Sequence, residues 1–425
     1  MDNHLSMYNI LDENIGSARD NLNCAVHNWY KFTAGFSYKL IDMIVENNEK
    51  KPTCVYDPFA GCGTTLVECQ KLSIPSLGNE SQALMCDIIN AKLNWDIEEE
   101  KCLQYLTYIL KTVKSNERKE LSDEYNDLIV SLYDKETLHD LYVLRDAIRE
   151  IEDYRYRLFF NLALCQVLHK VSIYPIAVPY ISRNRKQADP GNAISKLEAT
   201  VEQMIKDIST MPHKERLARV FNHDSRKVNS NIPCASCDLC ITSPPYLNNL
   251  DYGEVSKVPS HFFGITNNWS DITQKVRQNL VTASTTHYID SKFILEDFRS
   301  TEFVSNNQSV MAELETLFCQ IKEQSKGRKG KKSFHIMMMY YFYDMYFVLK
   351  EMRRVLKEGS PAYLILGDSA PYGVYVETTR LLGEIAHSVG FGDYNIKKIR
   401  SRGTKWKSLT YRHNLELSEN ILKIQ

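Results

Sequence analysis

The stretch Asp57-Pro58-Phe59-Ala60-Gly61-Cys62-Gly63-Thr64-Thr65 decides the fold class. It follows a short apolar run at 53–56 and opens a helical pattern. Two glycines flanking Cys62 let the backbone turn tightly and approach a ligand closely. About twenty residues further on, Glu80 ends the next apolar run, where a carboxylate can accept hydrogen bonds from both hydroxyls of a ribose. The loop lacks the Lys-Ser/Thr pair of a P-loop, which argues for a nucleoside-containing cofactor and against a nucleoside triphosphate. A ligand-free structural turn would explain the Gly-x-Gly alone. Asp57, Thr64, Thr65 and Glu80 beside it weigh against that reading.

Working outward, further short apolar runs predict strands at 76–78, 219–222, 238–242, 362–366 and 420–424. Helical patterns follow several of them, at 81–94 and 374–389. Strands alternating with helices predict an α/β fold with a largely parallel sheet. Two segments break that rhythm. Residues 97–214 read almost entirely as helices, ending in a basic loop with Arg183, Arg185 and Lys186. Residues 264–333 are polar and carry Arg328 and Lys329 among other cations. Such a run is often only a solvated loop; the functional alternative for both basic stretches is contact with phosphates. The expected division is core at 1–96, a helical insertion at 97–216, core at 217–263, a loop-rich polar and basic insertion at 264–334, and core again at 335–425.

A chain of 425 residues exceeds one simple core and suits one large domain with insertions, or two domains. Its 43% hydrophobic and 25% charged residues are ordinary for a globular protein. The formal net charge of −1 gives no global basic bias, so any nucleic-acid binding must rest on local clusters. Eleven cysteines without a signal-peptide pattern suit reduced thiols and a cytoplasmic location. No apolar run reaches the roughly 18 residues of a membrane span. The longest, at 336–349, is broken by Asp344, and its Tyr and Phe cluster reads as core packing before base stacking.

The strand at 238–242 runs into Ser243-Pro244-Pro245-Tyr246. Two prolines stop a strand and stiffen the turn. The Ser243 hydroxyl and the Pro244 carbonyl can then accept hydrogen bonds from a single amino group, and Tyr246 offers a flat face to an extruded base. An aromatic amine is a poor nucleophile because its lone pair is delocalised. Two acceptors drawing on its hydrogens favour a pyramidal nitrogen placed for in-line attack, so positioning and electrostatics carry the chemistry. The bland reading is a Pro-Pro turn followed by a core tyrosine.

These two motifs resemble the cofactor-binding and catalytic motifs of the DNA amino-methyltransferases, the second in the Ser form common among cytosine-N4 enzymes. Trp29-Tyr30-Lys31-Phe32-Thr33-Ala34-Gly35-Phe36 is similar to the family's Phe-x-Gly segment, and Asn222-His223-Asp224-Ser225-Arg226 to the segment whose acid contacts the cofactor's adenine. Segments at 359–368, 390–400 and 419–422 resemble later pieces of the core. The resemblance implies a class I methyltransferase (Rossmann-like) sheet of seven mostly parallel strands, the last antiparallel. It implies S-adenosyl-L-methionine held by Phe32, Gly35, Phe36, Asp57, Phe59, Gly61, Gly63, Thr64, Thr65, Glu80 and Asp224. Ser243, Pro244, Pro245 and Tyr246 would be catalytic on double-stranded DNA, with Arg183, Arg185, Lys186, Arg328 and Lys329 touching it. The implied function is cytosine-N4 methylation in a restriction–modification system, beside a cognate endonuclease. Adenine-N6 methylation by the same machinery is the alternative; an RNA methyltransferase and a silent DNA-binding subunit stand further off. Either insertion can carry target recognition.

No metal is expected. Cys234, Cys237 and Cys240 are spaced for thiolate ligation, but no fourth ligand is evident and Cys240 sits in an apolar strand. Pro233-Cys234 precedes a strand, the wrong side for the nucleophile of a carbon-5 methyltransferase. Asp251 and Glu254 either orient the target amine or cap a helix, and His261 and His387 read as packing or surface histidines.

Overall fold

The computed structural model describes residues 15, 17–115, 125–177, 180–285, 293–328, 333–402 and 415–425. Seven strands form the central sheet: β1 (Val55–Asp57), β2 (Ser76–Glu80), β3 (Ala218–Asn222), β4 (Leu239–Thr242), β5 (Ala362–Gly367), β6 (Tyr394–Arg402) and β7 (Leu417–Ile424). They lie in the order β3-β2-β1-β4-β5-β7-β6. Pairings from β3 through β5 are parallel, while β7 runs antiparallel to both β5 and β6. This is the class I methyltransferase sheet, as the resemblance implied.

The sheet is covered on both faces, which explains why its central strands read as continuous apolar runs. Side chains alternate between the faces. Leu239, Ile241, Tyr363 and Ile365 pack with the helix Tyr38–Glu46, whereas Cys240, Leu364 and Leu366 pack with the helix Phe334–Val355. In that long helix Tyr341, Phe342 and Tyr346 are buried and Tyr340, Tyr343 and Phe347 half-buried, so its aromatic cluster is core.

Sequence reasoning did not place β6 as a strand. Asn395, Ile396, Lys398 and Ser401 are exposed, only Ile399 is buried and no apolar run is present, as suits an edge strand. Among the described residues, the segment 97–216 holds helices Glu99–Ser115, Asp127–Val130, Lys135–Arg149, Tyr154–Lys170 and Ala193–Ser209 and a small hairpin, Ile176–Ala177 with Tyr180–Ile181. It is not a separate body. Its buried Phe160, Leu164 and Val201 share one core with Leu66 and Ile89 of the sheet-flanking helices, and Trp29 Nε1 donates to Asp207 Oδ2 at 2.8 Å.

The second insertion is less loop-rich than its polarity suggests. Gln308–Gln324 is a helix whose Val310, Met311, Leu314, Leu317, Phe318 and Ile321 form one apolar stripe against Phe334–Val355. Cys234, Cys237 and Cys240 do not converge. Cys234 is exposed beside Arg354, Cys240 lies inside β4, and Cys237 has its Sγ 3.1 Å from that of Cys54. Among the described residues, no helix is long and apolar enough to cross a membrane.

Candidate active site

β1, β2, β3 and β4 all deliver their carboxyl ends to one cavity. The glycine loop forms its floor. Gly61 has φ +56°, and a Cβ there would stand 3.2 Å from Phe32 Cε1, so the Phe32 ring rests directly on the loop backbone. Gly63 has φ +85° and begins the helix Thr64–Lys71. Phe32, Gly35, Phe36, Phe59, Gly61, Thr64, Glu80 and Asp224 line the cavity, together with Ser243 and Pro245.

Glu80 is buried at the end of β2. Its Oε2 accepts from Gly61 N at 2.9 Å and its Oε1 from Gln82 N at 2.9 Å. Each oxygen keeps a lone pair beyond those bonds, and burial pushes the carboxyl up to about 7. Asp224, after β3, is also buried. Burial would raise its pKa, but hydrogen bonds and charge from Arg226 hold it below the usual carboxylate range. A floor lowered by Gly61, a Phe32 wall and a carboxylate with spare acceptors fit the ribose and base of a nucleoside.

Three predicted cofactor residues stand behind this lining. Asp57 is buried, accepts from Thr242 Oγ1 at 2.6 Å and from Phe59 N at 3.0 Å, and is pushed by burial up to about 6. Thr65 Oγ1 donates to the Ile241 carbonyl at 3.3 Å. Both therefore tie the glycine loop to β4, the strand that runs into Ser243-Pro244-Pro245-Tyr246. Gly63 faces Ile89.

Within the turn, Ser243 Oγ donates to the Ile365 carbonyl of β5 at 3.0 Å. With its proton committed there, the hydroxyl has only lone pairs to offer the cavity. Pro244 is buried and contributes nothing to the lining. Tyr246 is turned inward. Its hydroxyl donates to Glu419 Oε1 at 2.9 Å, its backbone N–H donates to Tyr252 Oη at 3.1 Å, and the Arg402 guanidinium lies 4.9 Å over its ring. In this state one face of the Tyr246 ring is covered by Arg402.

Sequence reasoning missed Tyr252 and the segment Asn279-Leu280-Val281, which roofs the cavity from the second insertion. Nothing local in that segment marks it; its place depends on long-range pairing. Asp251 and Glu254 do not face the cavity as free acids: both bind the buried Arg277, at 2.7 and 3.4 Å, and Asp251 also accepts from Gly253 N. His261 is buried against Thr266.

Of the predicted nucleic-acid contacts, Arg183 donates to Ser131 Oγ and lies over the Tyr174 ring, while Arg185 and Lys186 are exposed. Arg328 stacks over Tyr372 at 4.9 Å, a few residues after the carboxyl end of β5. Lys329 lies outside the described residues.

Comparison with known proteins agrees with this geometry. A family model described as DNA methylase, of the N6/N4 type, matches residues 7–91. The chain is 24% identical to the type II methyltransferase M.AvaI of Nostoc sp. over 93% of its own length and 84% of the relative's. It is 21% identical to the type II methyltransferase M.BsoBI of Geobacillus stearothermophilus, over 91% and 82%. A shorter match, 27% identical over 31% of the chain and 25% of the relative, joins it to the type II methyltransferase M.MjaII of Methanocaldococcus jannaschii. No solved structure matches significantly. With the seven-stranded sheet, the glycine loop and Ser243-Pro244-Pro245-Tyr246 in place, the chain is similar to the DNA amino-methyltransferases, enzymes that methylate exocyclic amines of DNA bases.

Proposed function

We propose that this enzyme methylates the N4 amino group of cytosine in double-stranded DNA, using S-adenosyl-L-methionine as methyl donor. The observation that carries the reading is the Ser243 hydroxyl, committed as donor to Ile365 and left as a pure acceptor on the cavity that Glu80 also lines. When bound, the cofactor supplies an electrophilic sulfonium methyl. Glu80 would hold its ribose, Asp224 its adenine, and Phe32, Gly35 and Phe36 its methionine end, with Phe59, Gly61 and Thr64 shaping the floor.

Ser243 would draw on one hydrogen of the target amine, and the Pro244 carbonyl, which does not line the cavity in this state, on the other once the turn shifts to admit the base; together they would hold the nitrogen lone pair towards the cofactor pocket. Tyr246 would stack on the flipped base once Arg402 leaves its ring. No strong base is needed, because the methylated amine is acidic enough to lose its proton to water. Pro245 and the roof residues Leu280 and Val281 keep the site apolar and exclude water, which strengthens these hydrogen bonds. Arg183, Arg185, Lys186 and Arg328 are assigned to the DNA backbone. The names of the relatives support a type II restriction–modification role, in the cytoplasm beside an endonuclease of matching specificity.

The test is to incubate the protein with unmethylated DNA and S-adenosyl-L-methionine, digest the DNA to nucleosides and identify the methylated one by mass spectrometry. N4-methylcytosine is the expected product. N6-methyladenine would overturn the target while keeping the pocket, and methylation of RNA alone would overturn the substrate.

A further inference from the structure

Arg226 follows the pocket acid Asp224 by two residues, yet its guanidinium reaches three separate parts of the molecule. Nε and Nη2 clasp Asp224 Oδ1 and Oδ2, each at 2.9 Å. Nη1 reaches Asp344 Oδ2 of the helix Phe334–Val355 at 3.3 Å. Nη2 also donates to the Gln278 carbonyl at 2.7 Å, immediately before the roof segment Asn279-Leu280-Val281. The far end of that roof is tied as well. Thr282 N donates to the same Asp344 Oδ2 at 2.8 Å, and Asn248 N donates to the Ala283 carbonyl at 3.0 Å. Asn248 lies two residues beyond the catalytic tetrapeptide.

We propose that Arg226 is a positioning residue that makes cofactor binding and closure of the second insertion over the pocket one event. A planar guanidinium can serve a carboxylate with one edge and a carbonyl with another, which a lysine ammonium cannot reproduce. A ligand seated between Asp224 and the roof is therefore held by two surfaces that one side chain keeps in register. Through Asn248 and Ala283, the roof's position also fixes the start of the chain leaving the catalytic turn. The cofactor pocket and the target-base pocket are thus mechanically joined, and each ligand is expected to favour the other by the same factor. Lys227, 3.2 Å from Asp224 Oδ2, supplies charge to that carboxylate but no bond to the roof, so charge and closure can be separated by mutation.

The proposal rests on the reading of this cavity as the cofactor pocket, and S-adenosylhomocysteine is the probe. Its affinity and its hydrogen-exchange footprint are measured for the whole protein and for Arg226→Lys and Arg226→Gln, with thermal unfolding to check that each variant is folded. In the unmodified protein the probe should slow exchange both in residues 59–62 and in residues 279–282. Arg226→Lys should weaken binding roughly tenfold, keep protection at 59–62 and lose it at 279–282. Protection of both segments in Arg226→Lys, at unchanged affinity, would overturn the positioning role. Absence of binding by the unmodified protein would overturn the pocket assignment instead. If Arg226→Gln unfolds, the Lys variant alone decides, since it retains the charge.

Discussion

Ser243 donates its only proton to a backbone carbonyl, so its role towards an amine is set by what it has left. Ser243→Ala removes that acceptor without touching the residues assigned to the cofactor. Turnover is expected to fall on the order of 10²-fold, with the dissociation constant for S-adenosylhomocysteine within twofold of the original. Equal loss of both would place Ser243 outside the reacting centre. Glu80 gives a pH signature. Its carboxyl is raised to about 7 by burial, so the folded protein holds a proton that the unfolded chain releases nearer the ordinary value. Its contribution to stability is therefore greatest on the acid side and declines as pH rises through about 7. Ribose hydroxyls donate to the ionised form, so cofactor affinity should move the other way and weaken as pH falls below about 7. Titration calorimetry across that range should show this trend, and Glu80→Gln should bind weakly at every pH; a trend surviving in the variant would assign it to another group. At this scale the sequence was informative about residue type and less so about duty. Asp57 and Thr65 were legible as holding a loop geometry only once their partners on β4 were visible, because contacts 185 and 176 positions away leave no local pattern.

The glycine loop and the strand–helix unit around it are the elements that short-range pattern reveals best. Their chemistry is local: an apolar run, two glycines, then a helix. Gly63 shows how narrow the requirement is. Its left-handed φ and the approach of Ile89 Cγ1 to within 3.1 Å of a Cβ position leave no room for a side chain. Gly63→Ala should cost about 1–2 kcal/mol from the backbone alone, read as a lower urea midpoint at unchanged slope. An unaltered midpoint would contradict the left-handed turn. The helix Gln308–Gln324 was legible in principle, since its six apolar residues repeat at helical spacing, but the surrounding polar run masked it. β6 was not legible, because an edge strand studded with cations carries almost no hydrophobic signal. The roof at 279–281 lies between these cases: three ordinary residues acquire a role only through Arg226 and Asp344, which approach from elsewhere in the chain.

Across the whole molecule, a net charge of −1 means that attraction to DNA must come from patches. The basic loop at Arg183, Arg185 and Lys186 is the strongest candidate in the helical insertion. If all three contact phosphates, replacing them together by alanine should reduce the slope of log affinity against log salt by about 2.7. An unchanged slope would remove that loop from the DNA interface and leave the second insertion, with Arg328, as the main contact. The guanidinium resting on Tyr246 has a broader consequence. A cation over an aromatic face is worth about 0.5–2 kcal/mol, a handicap of roughly two- to thirtyfold for anything that would take its seat. Arg402 thus acts as a resident competitor, and it does not distinguish one base from another. A base that strays out of the duplex by thermal breathing meets an occupied shelf. Only one held out by the rest of the complex stays long enough to evict the occupant, so selectivity becomes a matter of dwell time as much as of fit.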